Sequence, residues 1–191
     1  MNKNIIFVTH NKGKVLSAQK HFEEKGIKLD ICNYELDEPR SDDIQVIAKS
    51  KVMQAYSLVK QPCFALDTGF YIEALNGFPR AYVNFALDTL NLEGILKLME
   101  GQKNRRCCFK ECLAYSSNGN PDDIQYFYAT INGTLAECVR GNDTDKKWSD
   151  LWYIFIPEGY GLTLAEMTEE QRAKRSNADK NSAIKKFAEW V

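Results

Sequence analysis

The sequence predicts an α/β fold: one elongated, mixed, twisted sheet flanked by helices. Three observations predict it. Short apolar runs alternate with helical stripes as far as residue 67, giving a βαβαβ order. Two long strand-like stretches then enclose a polar turn, "SNGNPDD" at 117–123. The 191 residues show no internal repeat, low-complexity run or linker, so one domain spanning 1–191 is expected.

The elements follow in order. "NIIFV" is short, apolar and strand-like, and "THNKGK" after it is a loop. Val15, Ala18 and Phe22 recur at helical spacing until Gly26 stops the helix. "IKLDIC" reads as a second strand, and "ELDEPRSDD" as an acidic, proline-bearing loop. Ala48, Val52, Ala55 and Val59 stripe one helix face, which ends before Pro62. "CFALD" is the third strand, ending on Asp67 before Thr68 and Gly69. Asn76-Gly77 signals a hairpin or tight turn. "VNFALDTLNLEGILKLME" is helical with a break expected near Gly94. The long hairpin covers 105–138, and "LWYIFIPEGYG" reads as a strand with its exit loop. Thr168 and Gln171 form a capping box that opens a helix through "EEQRAKR". Ile184, Phe187, Ala188 and Val191 give the last helix its apolar face.

Bulk composition narrows the class. A net charge of -1 exerts no global pull toward nucleic acid or an anionic membrane. No run approaches the roughly 20 apolar residues of a membrane span. "MNKNIIFVTHNKGK" is too briefly apolar for a signal peptide. The six cysteines are scattered through strand-like stretches and read as reduced, buried thiols of a cytoplasmic protein. "CCFKEC" lacks the histidine or second cysteine pair of a structural zinc site. "KNRR" reads as a solvated turn, "YFYATI" as a strand face, and His21 as solvent-facing on its helix.

Two stretches could carry chemistry. "THNKGK" places backbone N–H groups at a helix N-terminus, where anions are favoured. Thr9 and Asn11 can donate to phosphate oxygens, and Lys12 or Lys14 adds charge. "LDTG" around Asp67 matches the aspartic-protease tetrapeptide, but one copy in a chain with leading helices argues against that dyad.

The wider pattern resembles the inosine/xanthosine triphosphate pyrophosphatase family. Leu75 to Tyr82 resembles its N-G-x-P-G-x-Y loop and Asn91 to Met99 its N-E-G helix. Thr9, Asn11 and Lys14 match T-x-N-x-x-K. Asp67 to Gly69 matches [DE]-D-[ST]-G, and Ile154 to Gln171 matches the F-x-P-x-G segment. The resemblance covers nearly the whole chain. It implies two lobes with a central nucleotide cleft, a homodimer, and Mg²⁺-assisted cleavage of the triphosphate to monophosphate and pyrophosphate. Asp67, Lys14 and Lys51 would be catalytic. Thr9, Asn11, Thr68, Gly69, Arg80, Trp152, Asp179 and Lys180 would bind substrate.

Departures fall on particular positions. Leu66 stands where the family has an acid beside the aspartate, and Gln45 and Val46 stand where it has a glutamate. Those losses weaken the expected hold on Mg²⁺, which prefers carboxylate and water oxygens. Asp42, one helical turn before Val46, is a candidate substitute. The family's F-G-[YW]-D-P is replaced by Ser149 to Tyr153, leaving Trp148, Trp152 or Tyr153 as an aromatic platform. Its S-H-R aligns with Ala178, Asp179 and Lys180, and Arg80 replaces a glycine. Asp179 in place of histidine would favour a hydrogen-bond donor on the base. Three readings follow: a divergent triphosphate pyrophosphatase, a metal-independent nucleotide hydrolase such as one cleaving the sugar–base bond, and a non-catalytic nucleotide-binding protein.

Overall fold

The computed structural model describes residues 4–142, 147–178 and 181–191. Seven strands form one sheet in the order β2-β1-β3-β5-β6-β7, with β4 paired to β3. The chain divides into two compact units.

The first unit comprises Met1–Thr68, Glu111–Ala129 and Asn181–Val191. It holds β1 (Ile5–Val8), α1 (Lys12–Glu23), β2 (Leu29–Cys32), α2 (Ile44–Val59) and the start of β3 (Cys63–Ile72). Adjoining halves of β5 (Arg106–Ser116) and β6 (Gln125–Leu135) and all of α5 (Ala183–Trp190) complete it. β1 pairs in parallel with both β2 and β3. Parallel neighbours need a crossover, and α1 and α2 supply one each. β1 is buried at all four positions, as a central strand covered on both faces should be. A phenylalanine cluster fixes the helices to the sheet. Phe7 stacks on Phe64 at 4.3 Å, and Phe22 of α1 and Phe187 of α5 lie 5.8 and 5.0 Å from Phe64. Each ring fully removed from water contributes about 1.5–3 kcal/mol.

His21 departs from its expected exposure. It is only 4% exposed, and its Nδ1 lacks a hydrogen-bond partner. Glu24 Oε2 lies 3.7 Å away, too far for a hydrogen bond. The helix stripe through Ala18 and Phe22 is wider than three apolar residues suggest, and His21 joins it. Burial lowers its pKa, Glu24 opposes that shift, and Lys185 and Lys20 add to it. A depressed pKa means that the unfolded chain binds the proton more readily. Stability is therefore constant above the ordinary histidine value of about 6.5 and falls as pH drops below it. Melting temperature should fall between pH 7.5 and 5.5, and His21→Leu should flatten that slope. An equal slope in the variant would assign it to other groups.

The second unit comprises Gly69–Lys110 and Thr130–Lys180. After β3, a 3₁₀ turn (Glu73–Leu75) leads to β4 (Pro79–Arg80), antiparallel to β3. The expected Asn-Gly turn is present, with φ of 52° at Asn76 and 87° at Gly77. α3 (Val83–Leu98) breaks at Asn91 rather than near Gly94. Asn91 has φ 51° and ψ -170°, and its Oδ1 accepts the Gly94 N–H at 3.1 Å. It thus caps the second helical segment, a role asparagine fills well. Beyond it lie a 3₁₀ turn (Asp150–Tyr153), β7 (Phe155–Pro157) and α4 (Glu169–Ala178). Of the strand with its exit loop expected over 151–161, only three residues are strand. The capping box is formed: Gln171 N–H donates to Thr168 Oγ1 at 3.2 Å, and Thr168 N–H to Gln171 Oε1 at 2.8 Å. Phe70, Ile95, Met99, Leu151 and Phe155 lie in the core of this unit.

Candidate functional site

Asp67 does not end a strand. β3 runs on for five further residues, because β4 pairs with Phe70 and Tyr71 and holds the chain extended. Alternation then puts Asp67 on the face opposite Phe64, Leu66 and Thr68. Lys51, from the middle of α2, reaches Asp67, its Nζ donating to Oδ1 at 2.9 Å. The same ammonium donates to Glu38 Oε1. Asp67 is 5% exposed as a residue, and its carboxylate is paired with Lys51. Burial pushes the Lys51 pKa down, but Asp67 and Glu38 outweigh it and hold the pKa above the ordinary lysine value. Sequence reasoning did not single out Glu38. It lies within "ELDEPRSDD", where five acidic residues make none distinctive.

The loop after β1 packs beside this pair. β1 ends at Val8 and pairs with β3 only at Cys63 and Phe64, so the β3 edge past Phe64 is open on that side. Lys14 uses it: its Nζ donates to the Leu66 carbonyl at 3.2 Å. Asn11 is the N-cap of α1, its Oδ1 accepting the Lys14 N–H at 3.0 Å. Thr9 Oγ1 accepts the Asn11 N–H at 3.2 Å. Thus Thr9 and Asn11 shape the loop with their acceptor lone pairs, and the Thr9 hydroxyl keeps a proton it can donate. Burial first, then repulsion from Lys51, lowers the Lys14 pKa to about 8; Asp67, Glu111 and Glu38 oppose the shift. Thr68 Oγ1 is buried and has no hydrogen-bond partner. The structure therefore brings Lys14, Lys51 and Asp67 together, with Thr9 and Asn11 shaping the loop that carries Lys14, and adds Glu38; Thr68 faces the other side of β3 from Asp67.

The remaining candidates lie in the second unit or outside the described residues. A Cβ on Gly69 would fall 2.8 Å from the Tyr71 ring and 2.9 Å from the Arg80 carbonyl, so only glycine fits there. Arg80 adopts φ 58°, a conformation natural to the glycine it replaces. Its Nη2 donates to the Asn76 carbonyl at 3.4 Å, keeping the guanidinium at the turn. Trp152 is half-buried, and the Arg172 guanidinium lies 5.7 Å from its ring centroid. Arg172 also donates to the Leu164 and Met167 carbonyls, which fixes it there. Arg172 was not anticipated, because its partners are backbone carbonyls with no sequence signature. Asp179 and Lys180 lie outside the described residues.

A model of the Ham1 family matches residues 5–190. The chain belongs to the Ham1 family. A dITP/XTP pyrophosphatase of Thermococcus kodakarensis is 34% identical over 187 residues, covering 98% of this chain and 96% of that protein. Another, from Methanopyrus kandleri, is 36% identical over 97% of this chain and 95% of its own. A Ham1 protein structure from Coxiella burnetii superposes with a TM-score of 0.81 at 19% identity, over 97% of this chain and 96% of that one. It shares the fold.

Within this Ham1 family member, the carboxylate that shares Lys51 with Asp67 is Glu38, and the positions singled out in the sequence supply none. Leu66 is 4% exposed, on the face of the phenylalanine cluster, and offers only its carbonyl, already taken by Lys14. Val46 is solvent-facing, and the Gln45 side chain bonds to Tyr126. Asp42 is exposed on the loop, so it does not replace the missing acid by burial beside Asp67. Asp43 caps α2 by accepting the Gln45 N–H at 2.8 Å. Among the described residues, no group of three or more His, Cys, Asp or Glu side chains converges as a metal site. Mg²⁺ is normally held by one or two carboxylates plus water and phosphate. Here two carboxylates, Asp67 and Glu38, converge on the Lys51 ammonium, so with substrate phosphates they could hold such an ion if Lys51 moved aside.

Proposed function

We propose that this chain is a nucleoside triphosphate pyrophosphohydrolase acting on non-standard purine triphosphates of the dITP/XTP kind, yielding the monophosphate and pyrophosphate. The observation that carries this reading is the Lys51–Asp67 pair beside the Lys14 loop, in a chain whose relatives bear that activity in their names. Lys14, Thr9, Asn11 and Thr68 would hold phosphate oxygens, helped by the N-terminus of α1. Asp67 would take a proton from water as its oxygen bonds to phosphorus, and the bond to the pyrophosphate leaving group would break. Lys51 would orient Asp67. Mg²⁺ that accompanies a triphosphate would be carried by the phosphates. Gly69 is needed for strand packing, and Arg80, Trp152, Asp179 and Lys180 are proposed to bind substrate.

The same reading takes the chain as one two-lobed domain working as a homodimer in the cytoplasm, on a free nucleotide rather than nucleic acid. No helix among the described residues is long and apolar enough to cross a membrane. No feature of the site favours sugar–base cleavage or a purely binding role. The experiment is incubation with dITP, XTP and the standard triphosphates, with separation of the products. Conversion of dITP or XTP to monophosphate ahead of ATP and GTP supports the reading; preference for the standard nucleotides opposes it.

Lys14 gives the proposal a pH signature. It is charged below about 8 and neutral above it, with Lys51, Asp67, Glu111 and Glu38 as the surrounding charges. Nucleotide affinity should weaken as pH rises through 8. Fold stability should move the other way, rising from about 8 toward the ordinary lysine value of about 10.4, because only the unfolded chain keeps that proton. Calorimetric titration and melting curves from pH 6.5 to 9.5 check both. Affinity that is flat over that range would remove Lys14 from the phosphate contacts.

A further inference from the structure

We propose that Glu111 is a positioning residue for the nucleotide site: a buried carboxylate that ties β5 to the first turn of α5 and stands as counter-charge to the Lys14 ammonium. This rests on the reading of Lys14 as a phosphate-binding group, but not on which bond of the nucleotide is cleaved. Glu111 is 2% exposed, beside the buried Cys112, Leu113 and Ala114. Alternation along β5 points its side chain at α5, as it does Tyr115, whose ring lies 5.0 Å from Phe187. Glu111 Oε2 accepts the Ala183 N–H there at 2.9 Å. α1 covers the same face of the sheet, because Phe22 packs on Phe64 and lies 5.7 Å from Phe187. Lys14 belongs to the first turn of that helix and reaches the Leu66 carbonyl.

Capping alone does not account for a charge at this place. Ser182 is the N-cap of α5, its Oγ accepting the Lys185 N–H at 3.4 Å. The Ala183 N–H is one of the remaining first-turn donors, and an amide oxygen would satisfy it as well as a carboxylate. A glutamine would do so without the cost of a buried charge. The Lys14 ammonium gives that charge a purpose. Asp67 and Glu38 both accept from Lys51 Nζ, whereas Lys14 Nζ donates to a neutral carbonyl. Burial first, and then Lys51, work against the Lys14 charge; Asp67, Glu111 and Glu38 work for it. Of those three carboxylates, Glu111 is the one not shared with Lys51, and opposite charges in a partly buried site attract strongly.

The test separates the charge of Glu111 from its hydrogen bond. The full chain, labelled with ¹³C-lysine and held in EDTA without nucleotide, is titrated by magnetic resonance. The Lys14 Cε signal is the one missing from Lys14→Met, and its midpoint is expected at about 8. Glu111→Gln keeps the acceptor and drops the charge, so the midpoint should fall by about 1 with little change in melting temperature. Glu111→Asp keeps the charge but draws back from Ala183, so the midpoint should stay within about 0.5 while melting temperature falls. Tripolyphosphate affinity in EDTA should be about 3-fold weaker in Glu111→Gln than in the unmodified chain at pH 7.5, and equal at pH 6, where Lys14 is charged in both. An unmoved midpoint in folded Glu111→Gln, or the same loss of affinity at both pH values, overturns the proposal. Glu111→Met carries the same expectation if Glu111→Gln does not fold. Failure of both to fold makes Glu111 a structural cap alone and also overturns it. A lowered midpoint with unchanged affinity supports the counter-charge and overturns the phosphate role of Lys14. Products of dITP turnover report separately on the pyrophosphohydrolase, so either can fail alone.

Discussion

Asn in place of Asp67 is expected to lower pyrophosphate release from dITP by about 10²–10⁴-fold, the usual worth of a general base. The amide matches the carboxylate in shape, and its oxygen can still accept from Lys51. It cannot take a proton from water. Lys51 would retain Glu38, so the α2 contact survives the exchange. Binding of tripolyphosphate should persist, because the proposed phosphate contacts lie on Lys14 and Thr68. The pairing of lost turnover with kept binding distinguishes a missing base from a collapsed site. Turnover within about 3-fold of the unmodified chain would take the base role away from Asp67.

The second large effect is on stability. Lys51→Met should destabilise the chain by about 3–5 kcal/mol, measured by urea unfolding. The Asp67 side chain is 7% exposed and would be left buried without its cation. Glu38, with a side chain 48% exposed, loses little. The double variant Lys51→Met/Asp67→Asn should recover much of the loss, because it removes the stranded charge as well as its partner. A loss under about 1 kcal/mol would place the pair in the class of solvent-screened surface bridges. The sign of the pH dependence is clear. The folded Lys51 pKa is raised, so its contribution is fully present below about 10.4 and lost only as pH rises through the folded value. Between pH 6 and 9 the cost of Lys51→Met should be level.

Much of the fold was legible because its signals are local. The βαβαβ opening, the Asn76-Gly77 turn, the Thr168–Gln171 capping box and the long hairpin each announce themselves within a few residues. The errors arose where distant residues decide. β3 was expected to stop at Asp67, yet pairing with Pro79 and Arg80 carries it to Ile72. Gly69 reads as a turn in isolation but serves a close approach of two strands. Asn91, not Gly94, breaks α3, because asparagine offers a capping side chain as well as tolerance of positive φ. His21 looks polar and is buried, since α5 from the far end of the sequence covers that side of α1.

The candidate site is legible only in part. Lys14, Lys51 and Asp67 were named from spacing and resemblance, and the structure brings them together. Glu38 was hidden among neighbouring acids, and only the reach of Lys51 selects it. Arg172 was hidden because an arginine that grips carbonyls looks like any surface arginine. Leu66 was visible as a departure, and its burial beside the phenylalanine cluster gives the departure a physical meaning. An acid there would sit in an apolar layer, so replacing Leu66 alone would not rebuild a metal site.

The most direct measurement is the identity of the products formed from dITP in the presence of Mg²⁺, followed by ³¹P magnetic resonance and chromatography. The account predicts dIMP and pyrophosphate in equal amounts. Release of dIDP and inorganic phosphate, release of free hypoxanthine, or recovery of intact dITP after prolonged incubation with folded protein would contradict it.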